Sequence, residues 1–185
     1  MVADVEREAR SRMEAAIEAL RSDLASIRTG RASPALLDRI RVDYYGSPTP
    51  LQQIATISVP EPTQLLIRPW EKNILGAIER AILASDLGLT PNNDGTVIRL
   101  NIPALTEQRR RELVKQVSRR VEEGRVAIRN VRRDALSDLK ELEDQKEITE
   151  DDFYQARDRL QKVTDEYIKR LEQVGEEKEK EILQI

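Results

Sequence analysis

All eight prolines of this chain fall between Pro34 and Pro103, and five of its seven glycines (Gly30, Gly46, Gly76, Gly88 and Gly95) lie in nearly the same window. Proline fixes φ and lacks a backbone donor, so it cannot sit inside a long helix without breaking it. Outside that window the chain is charged and periodic, interrupted only by Gly124 and Gly175. The distribution therefore predicts a long helix, a turn-rich insert, and two more long helices. The expected fold class is α+β: an elongated three-helix bundle, residues 1–29 and 105–185, carrying an inserted small β/α/β domain, residues 30–104, on a two-stranded hinge.

The apolar spacing supports that division. Met13, Ile17, Leu20, Leu24 and Ile27 recur at 4, 3, 4 and 3, one continuous stripe of a helix running from about Ala3 to Arg28. Thr29-Gly30 follows as its stop. The second long helix opens after Thr106 and shows the stripe Leu113, Val117, Val121, Gly124, Ile128, Val131, Ala135, Leu139 and Leu142. Gly124 either weakens that helix by about 1 kcal/mol against Ala or permits close approach of a neighbour. Thr149 with Asp152 forms a capping-box pair for the third helix, and Glu150, Asp151 and Asp152 suit the positive end of its dipole. A metal reading of the same acids is the weaker one. The connection from Asp144 to Thr149 is short, so these two helices should pack antiparallel.

Inside the insert, Ile40, Val42 and Tyr44 alternate up to Gly46, a strand and turn. Ile54 to Val59 and Gln64 to Arg68 are strand candidates separated by Pro60-Glu61-Pro62. Glu71 to Ser85 reads as a helix, and Asn92-Asn93-Asp94-Gly95 as a turn before the strand Ile98, Leu100, Ile102. Tyr44 is expected in the core, Tyr45 fits core or base stacking, and Trp70 is expected to pack. The chain crosses between the two domains near Gly30-Arg31 and Pro103–Leu105. Gly30, Arg31, Ala104 and Leu105 are the expected hinge residues.

Composition narrows the function. The chain has no Cys and no His, which removes thiolate and imidazole metal ligands, Ser-His and Cys-His nucleophilic pairs, and the usual general base. Neither G-x-x-x-x-G-K nor G-x-G-x-x-G occurs. The expectation is no enzymatic activity, no cofactor, no metal and no small-molecule substrate. An N-terminus charged from Asp4 and the lack of any membrane-length apolar run point to a cytoplasmic protein away from membranes.

The net charge of −3 conceals an asymmetry. Residues 105–134 hold 10 basic and 5 acidic side chains, whereas residues 135–185 hold 9 and 16. Arg125, Arg129 and Arg132 share a helix face, Arg133 follows Arg129 by four, and Arg111 with Lys115 extends the basic side. Guanidinium groups at such spacing match the phosphates of RNA. From charge alone, a solvated face laced with salt bridges fits as well. The run Arg129-Asn130-Val131-Arg132-Arg133, which lacks any acid, favours RNA.

Five segments carry a resemblance to a known family: Ile27-Arg28-Thr29-Gly30-Arg31-Ala32-Ser33-Pro34, Tyr44-Tyr45-Gly46-Ser47-Pro48-Thr49-Pro50-Leu51, Ala84-Ser85-Asp86-Leu87-Gly88-Leu89, Leu105-Thr106-Glu107-Gln108-Arg109-Arg110, and Arg125 through Asp134. They lie in order along essentially the whole chain, which resembles bacterial ribosome recycling factor. The resemblance implies a three-helix bundle with a hinged β/α/β domain, acting after termination of protein synthesis. It implies binding to the post-termination ribosome through the large ribosomal subunit and its 23S ribosomal RNA, with elongation factor G and that factor's GTP hydrolysis driving subunit dissociation. Carried over by motif, the RNA-binding residues are Arg129, Arg132 and Arg133, together with Arg110, Arg28 and Arg31. Gly124 departs from the Ala or polar residue expected there and bears on the stiffness of the rod. A monomer is expected. The rival from another class is a coiled-coil scaffold, which would be a dimer or larger. An enzyme built on carboxylates alone ranks third.

Overall fold

The computed structural model describes residues 1–184. In chain order the elements are α1 (Val2–Ala25), β1 (Arg41–Tyr44), β2 (Ser47–Pro50), β3 (Ala55–Glu61), β4 (Gln64–Pro69), α2 (Leu75–Ala84), β5 (Pro91–Asn93), β6 (Ile98–Asn101), α3 (Glu107–Asp144) and α4 (Glu150–Leu183). The chain divides into two compact units. One joins Met1–Arg28 to Glu107–Gln184, and the other is Thr29–Thr106.

The first unit is a three-helix bundle. Its core is the stripe on each helix: Met13, Ile17 and Leu20 from α1, Val117, Ile128 and Leu139 from α3, Leu160, Leu171 and Ile182 from α4. Cross-helix pairs set the directions. Arg125 meets Glu172 while Arg132 meets Gln161, so α3 and α4 run antiparallel. Glu6 meets Arg159 and Glu14 meets Arg170, so α1 runs parallel to α4. At 38 residues, α3 is about 57 Å long.

The ends of these helices have separate causes. The stripe predicted α1 to Arg28, but the helix stops at Ala25. Both the backbone N–H and the hydroxyl of Ser26 donate to the Asp23 carbonyl, tightening the last turn and ending the α-helical ladder early. Lys146 takes the left-handed conformation (φ 60°) after α3. Bonds from Glu147 N–H to Leu142 O and from Lys146 N–H to Glu143 O, both 2.9 Å, make this a Schellman closure without glycine. The capping box at α4 forms as the sequence indicates. Asp152 N–H donates to Thr149 Oγ1 at 3.0 Å, and Thr149 N–H donates to Asp152 Oδ2 at 3.1 Å.

Gly124 and Gly175 mark a close approach of α3 and α4. A Cβ on Gly124 would lie 2.9 Å from Leu171 Cδ1, and one on Gly175 would lie 2.5 Å from Val121 Cγ2. Each glycine receives a large side chain from the facing helix, so the pair lets the backbones pack together. Of the two readings open for Gly124, the close approach is the one realised.

The second unit is mixed. β1 and β2 form an antiparallel hairpin with Tyr44 opposite Ser47. Its two-residue turn has positive φ at both Tyr45 (51°) and Gly46 (84°), the geometry that matches strand twist. β3, β4, β6 and β5 form a four-stranded antiparallel sheet in that order. One side of the sheet supplies Leu65, Ile67, Ile98 and Leu100 to a core shared with Leu75, Ile78 and Ile82 of α2 and with Val42 and Leu51.

Several expectations for this unit need correction. Asn92 and Asn93, expected as part of a turn, belong to β5, and β2 follows the expected turn at Gly46 as a strand that the sequence did not indicate; both carry proline and form because each takes an edge position, where a missing N–H is tolerated. β3 continues through Pro60 to Glu61 by way of a register shift after Ser58. The segment expected as one helix from Glu71 starts as a 3₁₀ turn, Lys72–Ile74, before α2. Trp70, expected to pack, is 66% exposed.

Candidate nucleic-acid interface

The arginines of α3 stand beside its buried stripe, and their environments differ along the helix. Arg125 is fully engaged. Its guanidinium donates to Glu122 at 2.7 Å and to Glu172 of α4 at 3.0 Å. Those two hydrogen bonds, Glu122 first, hold it still more firmly protonated against some desolvation. Arg111 is likewise tied, to Glu107 at 2.6 Å. The continuous basic side expected from spacing is therefore interrupted over its N-terminal part, because Glu at i−3 and i−4 on the same helix reaches these arginines.

From Arg129 onward the pattern changes. Arg129 approaches only Glu122, at 3.9 Å. Arg132 donates to the neutral carbonyl of Gln161 at 2.9 Å, and Arg133 is exposed with no carboxylate partner among the described residues. The acid that follows the run, Asp134, is drawn away by Arg12 of α1 at 3.0 Å. Arg129, Arg132 and Arg133 thus form a basic run on α3 in which Arg132 and Arg133 have no ion-pair partner among the described residues and Arg129 has only the loose approach of Glu122.

Arg110 lies nearer the start of α3, and its distance from Arg129 along the axis is roughly 28 Å at 1.5 Å per residue. Arg110 and Arg132 share a feature that spacing could not reveal. In each the Nε is buried and has no acceptor among the described residues. A buried N–H left unpaired costs about 1–3 kcal/mol, so both stems are packed down with that cost uncompensated inside the unit. Arg28 is exposed just past α1 in the bundle unit, and Arg31 is exposed in the other unit. Arg31 therefore belongs to a different unit from the arginines of α3.

The expected hinge residues Gly30, Arg31, Ala104 and Leu105 all belong to the second unit. Gly30 has φ +78°, and a Cβ there would lie 3.3 Å from Leu105 Cγ. Both segments are held by the β3–β4 turn just inside the unit. Ala32 N–H donates to Pro62 O and Ile102 N–H donates to Thr63 O, each at 2.7 Å.

Among the described residues no helix is long and apolar enough to cross a membrane, and no group of three or more acidic side chains is placed to hold a metal ion. Asp152 has its carboxylate held below the ordinary range by the backbone and hydroxyl of Thr149.

The fold is that of a two-unit protein, a three-helix bundle interrupted by a small α+β unit, with a run of arginines along α3. The family profile for ribosome recycling factor matches residues 20–183. Ribosome-recycling factors of Symbiobacterium thermophilum and Roseiflexus castenholzii are 54% and 55% identical over 185 residues, covering all of both chains. A solution structure of a ribosome recycling factor matches with TM-score 0.71 at 45% identity, covering 100% of this chain and 98% of that one. A second structure, of the T. thermophilus factor with E. coli elongation factor G bound to the E. coli post-termination complex, matches with TM-score 0.63 at 49% identity and 99% coverage of each chain. The chain belongs to the ribosome recycling factor family, the translation factors that act in ribosome recycling.

Proposed function

We propose that this protein binds the post-termination ribosome as a cytoplasmic monomer and, with elongation factor G and GTP hydrolysis by that factor, promotes dissociation of the subunits. The T. thermophilus relative bound with elongation factor G supports the choice of partners. The observation that supports the RNA contact is the run Arg129, Arg132 and Arg133, held by a carboxylate only loosely at Arg129 and not at all at the other two among the described residues, while Arg125 and Arg111 are closely paired. Planar guanidinium groups on a rigid helix position phosphates and read shape, which needs no catalytic residue and no cofactor. Arg110, Arg28 and Arg31 extend the RNA contact to the large subunit. The bundle, residues 1–29 and 105–185, is the anchored rod, and the insert, residues 30–104, is the part the GTPase displaces. Gly30, Arg31, Ala104 and Leu105 form the pivot. Two features support that pivot: the positive φ of Gly30 and the anchoring of Ala32 and Ile102 to one turn.

The test is binding to purified large subunits across a salt series, wild type against Arg132→Ala. The expected result is a steep salt dependence and a slope reduced by about one in the variant. Binding indifferent to both salt and Arg132 would remove the arginine anchor. A dimer in solution would favour a scaffold instead.

A further inference from the structure

The four-stranded sheet covers the core with one face and leaves the other open. Cross-strand register places Thr56 opposite Arg68, and Ser58, Leu66, Arg99 and Asn92 in one row. An antiparallel sheet with one solvated face ordinarily carries polar residues there, so Thr, Ser and Asn call for no explanation. Trp70 does. It is 66% exposed, and its indole Nε1–H donates to Thr56 Oγ1 at 3.1 Å. That bond fixes the ring's edge against the neighbouring strand, so a large aromatic surface is both open and held in one place. Tryptophan is large and is usually buried over most of its area.

The cation beside it is also unoccupied. Arg68, two residues before Trp70 and across from Thr56, is exposed and has no ion-pair partner among the described residues. The carboxylates near this face stand at its rim. Asp94 is taken by Arg99 at 2.8 Å and by the Thr96 and Val97 N–H groups, which hold it below its ordinary pKa. Glu61 sits at the far end, opposite Gln64.

We propose that this open face is a second RNA-contacting surface, on which an unpaired base of single-stranded RNA stacks on Trp70 and its phosphate meets Arg68. A sheet displaying an aromatic platform beside arginine fits an unstacked base better than a duplex, whose bases are closed to stacking. A protein partner would be favoured by a broad apolar surround, but apart from the half-buried Leu66 the neighbours here are Thr, Ser, Gln, Asn and Arg. The inference goes beyond the arginine patch on α3 and does not rest on it.

Trp70 is the only tryptophan of the chain, so its fluorescence reports on this site alone. The intact protein is titrated with a single-stranded RNA decamer and with the same sequence as a duplex. The expected result is saturable quenching by the single strand with a dissociation constant of roughly 10⁻⁶–10⁻⁴ M at moderate salt, and little by the duplex. With labelled RNA and anisotropy as the readout, Trp70→Ala should bind about tenfold more weakly or worse, Trp70→Phe should retain most of the affinity, and Arg68→Ala should weaken it several-fold. The quenching should persist in Arg132→Ala, which separates this site from the patch on α3. Absence of quenching, equal quenching by duplex, or unchanged RNA affinity in Trp70→Ala would each overturn the proposal. So would protection of Trp70 from acrylamide by elongation factor G where RNA gives none, an outcome that would make the face a protein-docking surface while leaving the salt-series test of the anchor unaffected.

Discussion

The two units use their carboxylates differently. In the bundle, Glu and Asp meet Arg and Lys at i,i+3 and i,i+4 spacings and across helices: Glu122 and Glu172 with Arg125, Glu14 with Arg170, Glu6 with Arg159. In the small unit, seven acids and seven bases cancel in number, yet the acids are largely occupied by neutral donors. Asp43 accepts from the Gly46 N–H, Asp38 from Gln52, Glu71 from Tyr44 and Tyr45, and Glu79 from Asn93. A helix offers its own backbone no use for a mid-helix carboxylate, so the acid goes to a neighbouring cation. Turns and hairpins offer unpaired N–H groups, so the acid goes there instead. Net charge is therefore a poor guide to which cations are available. Among the cations with no close ion pair are Arg132 and Arg133 in the bundle and Arg68 in the small unit, and Arg129 has only the loose approach of Glu122.

The largest effect should come from separating engaged from available arginines in the bundle. Reversing both Arg129→Glu and Arg132→Glu is expected to weaken large-subunit binding by about a hundredfold or more and to lower the salt slope by about two. Arg125→Ala should leave that binding within about twofold and lower the melting temperature instead, because its removal strips Glu172 of its cross-helix partner. Equal loss of binding in the two variants would mean that engaged and available arginines do not differ.

The next effect belongs to the small unit's ends. Gly30→Val places a β-branched side chain at φ +78°, with its Cβ 3.3 Å from Leu105 Cγ. The left-handed conformation alone costs a non-glycine residue about 1–2 kcal/mol. Recycling with elongation factor G should fall several-fold while large-subunit binding changes little. Were both to fall together, Gly30 would have no pivot role distinct from anchoring.

A smaller contrast lies wholly within the bundle. Gly175→Ala puts a Cβ 2.5 Å from Val121 Cγ2, and valine is stiff at χ1, so α3 and α4 must part. A loss of about 1–3 kcal/mol in chemical denaturation is expected, as for overpacking generally. Gly124→Ala meets the flexible end of Leu171, and a helix-propensity gain of up to about 1 kcal/mol offsets the crowding. Its net change should be near zero. A variant order the other way round would show Leu171 to be the less yielding neighbour.

The same contrast explains what could be read in the sequence. α3 and α4 were legible to within a residue or two because a repeating stripe and a capping box are local signals, and both are realised. The end of α1 was misplaced because Ser26 competes for the Asp23 carbonyl, which no stripe records. In the small unit, β2 and β5 depend on partners supplied by β1 and β6, and prolines at 48, 50 and 91 argue locally against strand. On α3, spacing located the arginines but could not separate Arg125 from Arg129 and Arg132. Part of that was recoverable, since Glu122 precedes Arg125 by three. The pull of Asp134 toward Arg12 and of Arg125 toward Glu172 arises only when the helices pack. Trp70 was misread for the same reason: its exposure follows from which face of the sheet α2 covers.

The smallest effect sits where each unit employs a carboxylate to hold backbone donors. Asp152 caps α4 and is held below its ordinary value of 3.8 chiefly by the Thr149 N–H and then its hydroxyl. Asp94 closes the β5–β6 turn and is lowered first by the Val97 and Thr96 N–H groups. A carboxylate with a depressed folded pKa contributes stability that is fully present above its unfolded value and lost as pH falls through the folded one. Both contributions should therefore be intact at neutral pH and fade below about pH 4. Melting curves of wild type and Asp152→Asn should differ most at neutral pH and converge as the wild-type carboxyl protonates. Asp94→Asn should converge over a similar window. Because Asp94 also faces Arg99 at 2.8 Å, added salt should narrow its difference from wild type at neutral pH and leave that of Asp152 nearly unchanged. A salt response of equal size at both positions would mean that Asp152 is held by neighbouring charge rather than by the N–H groups of its own helix.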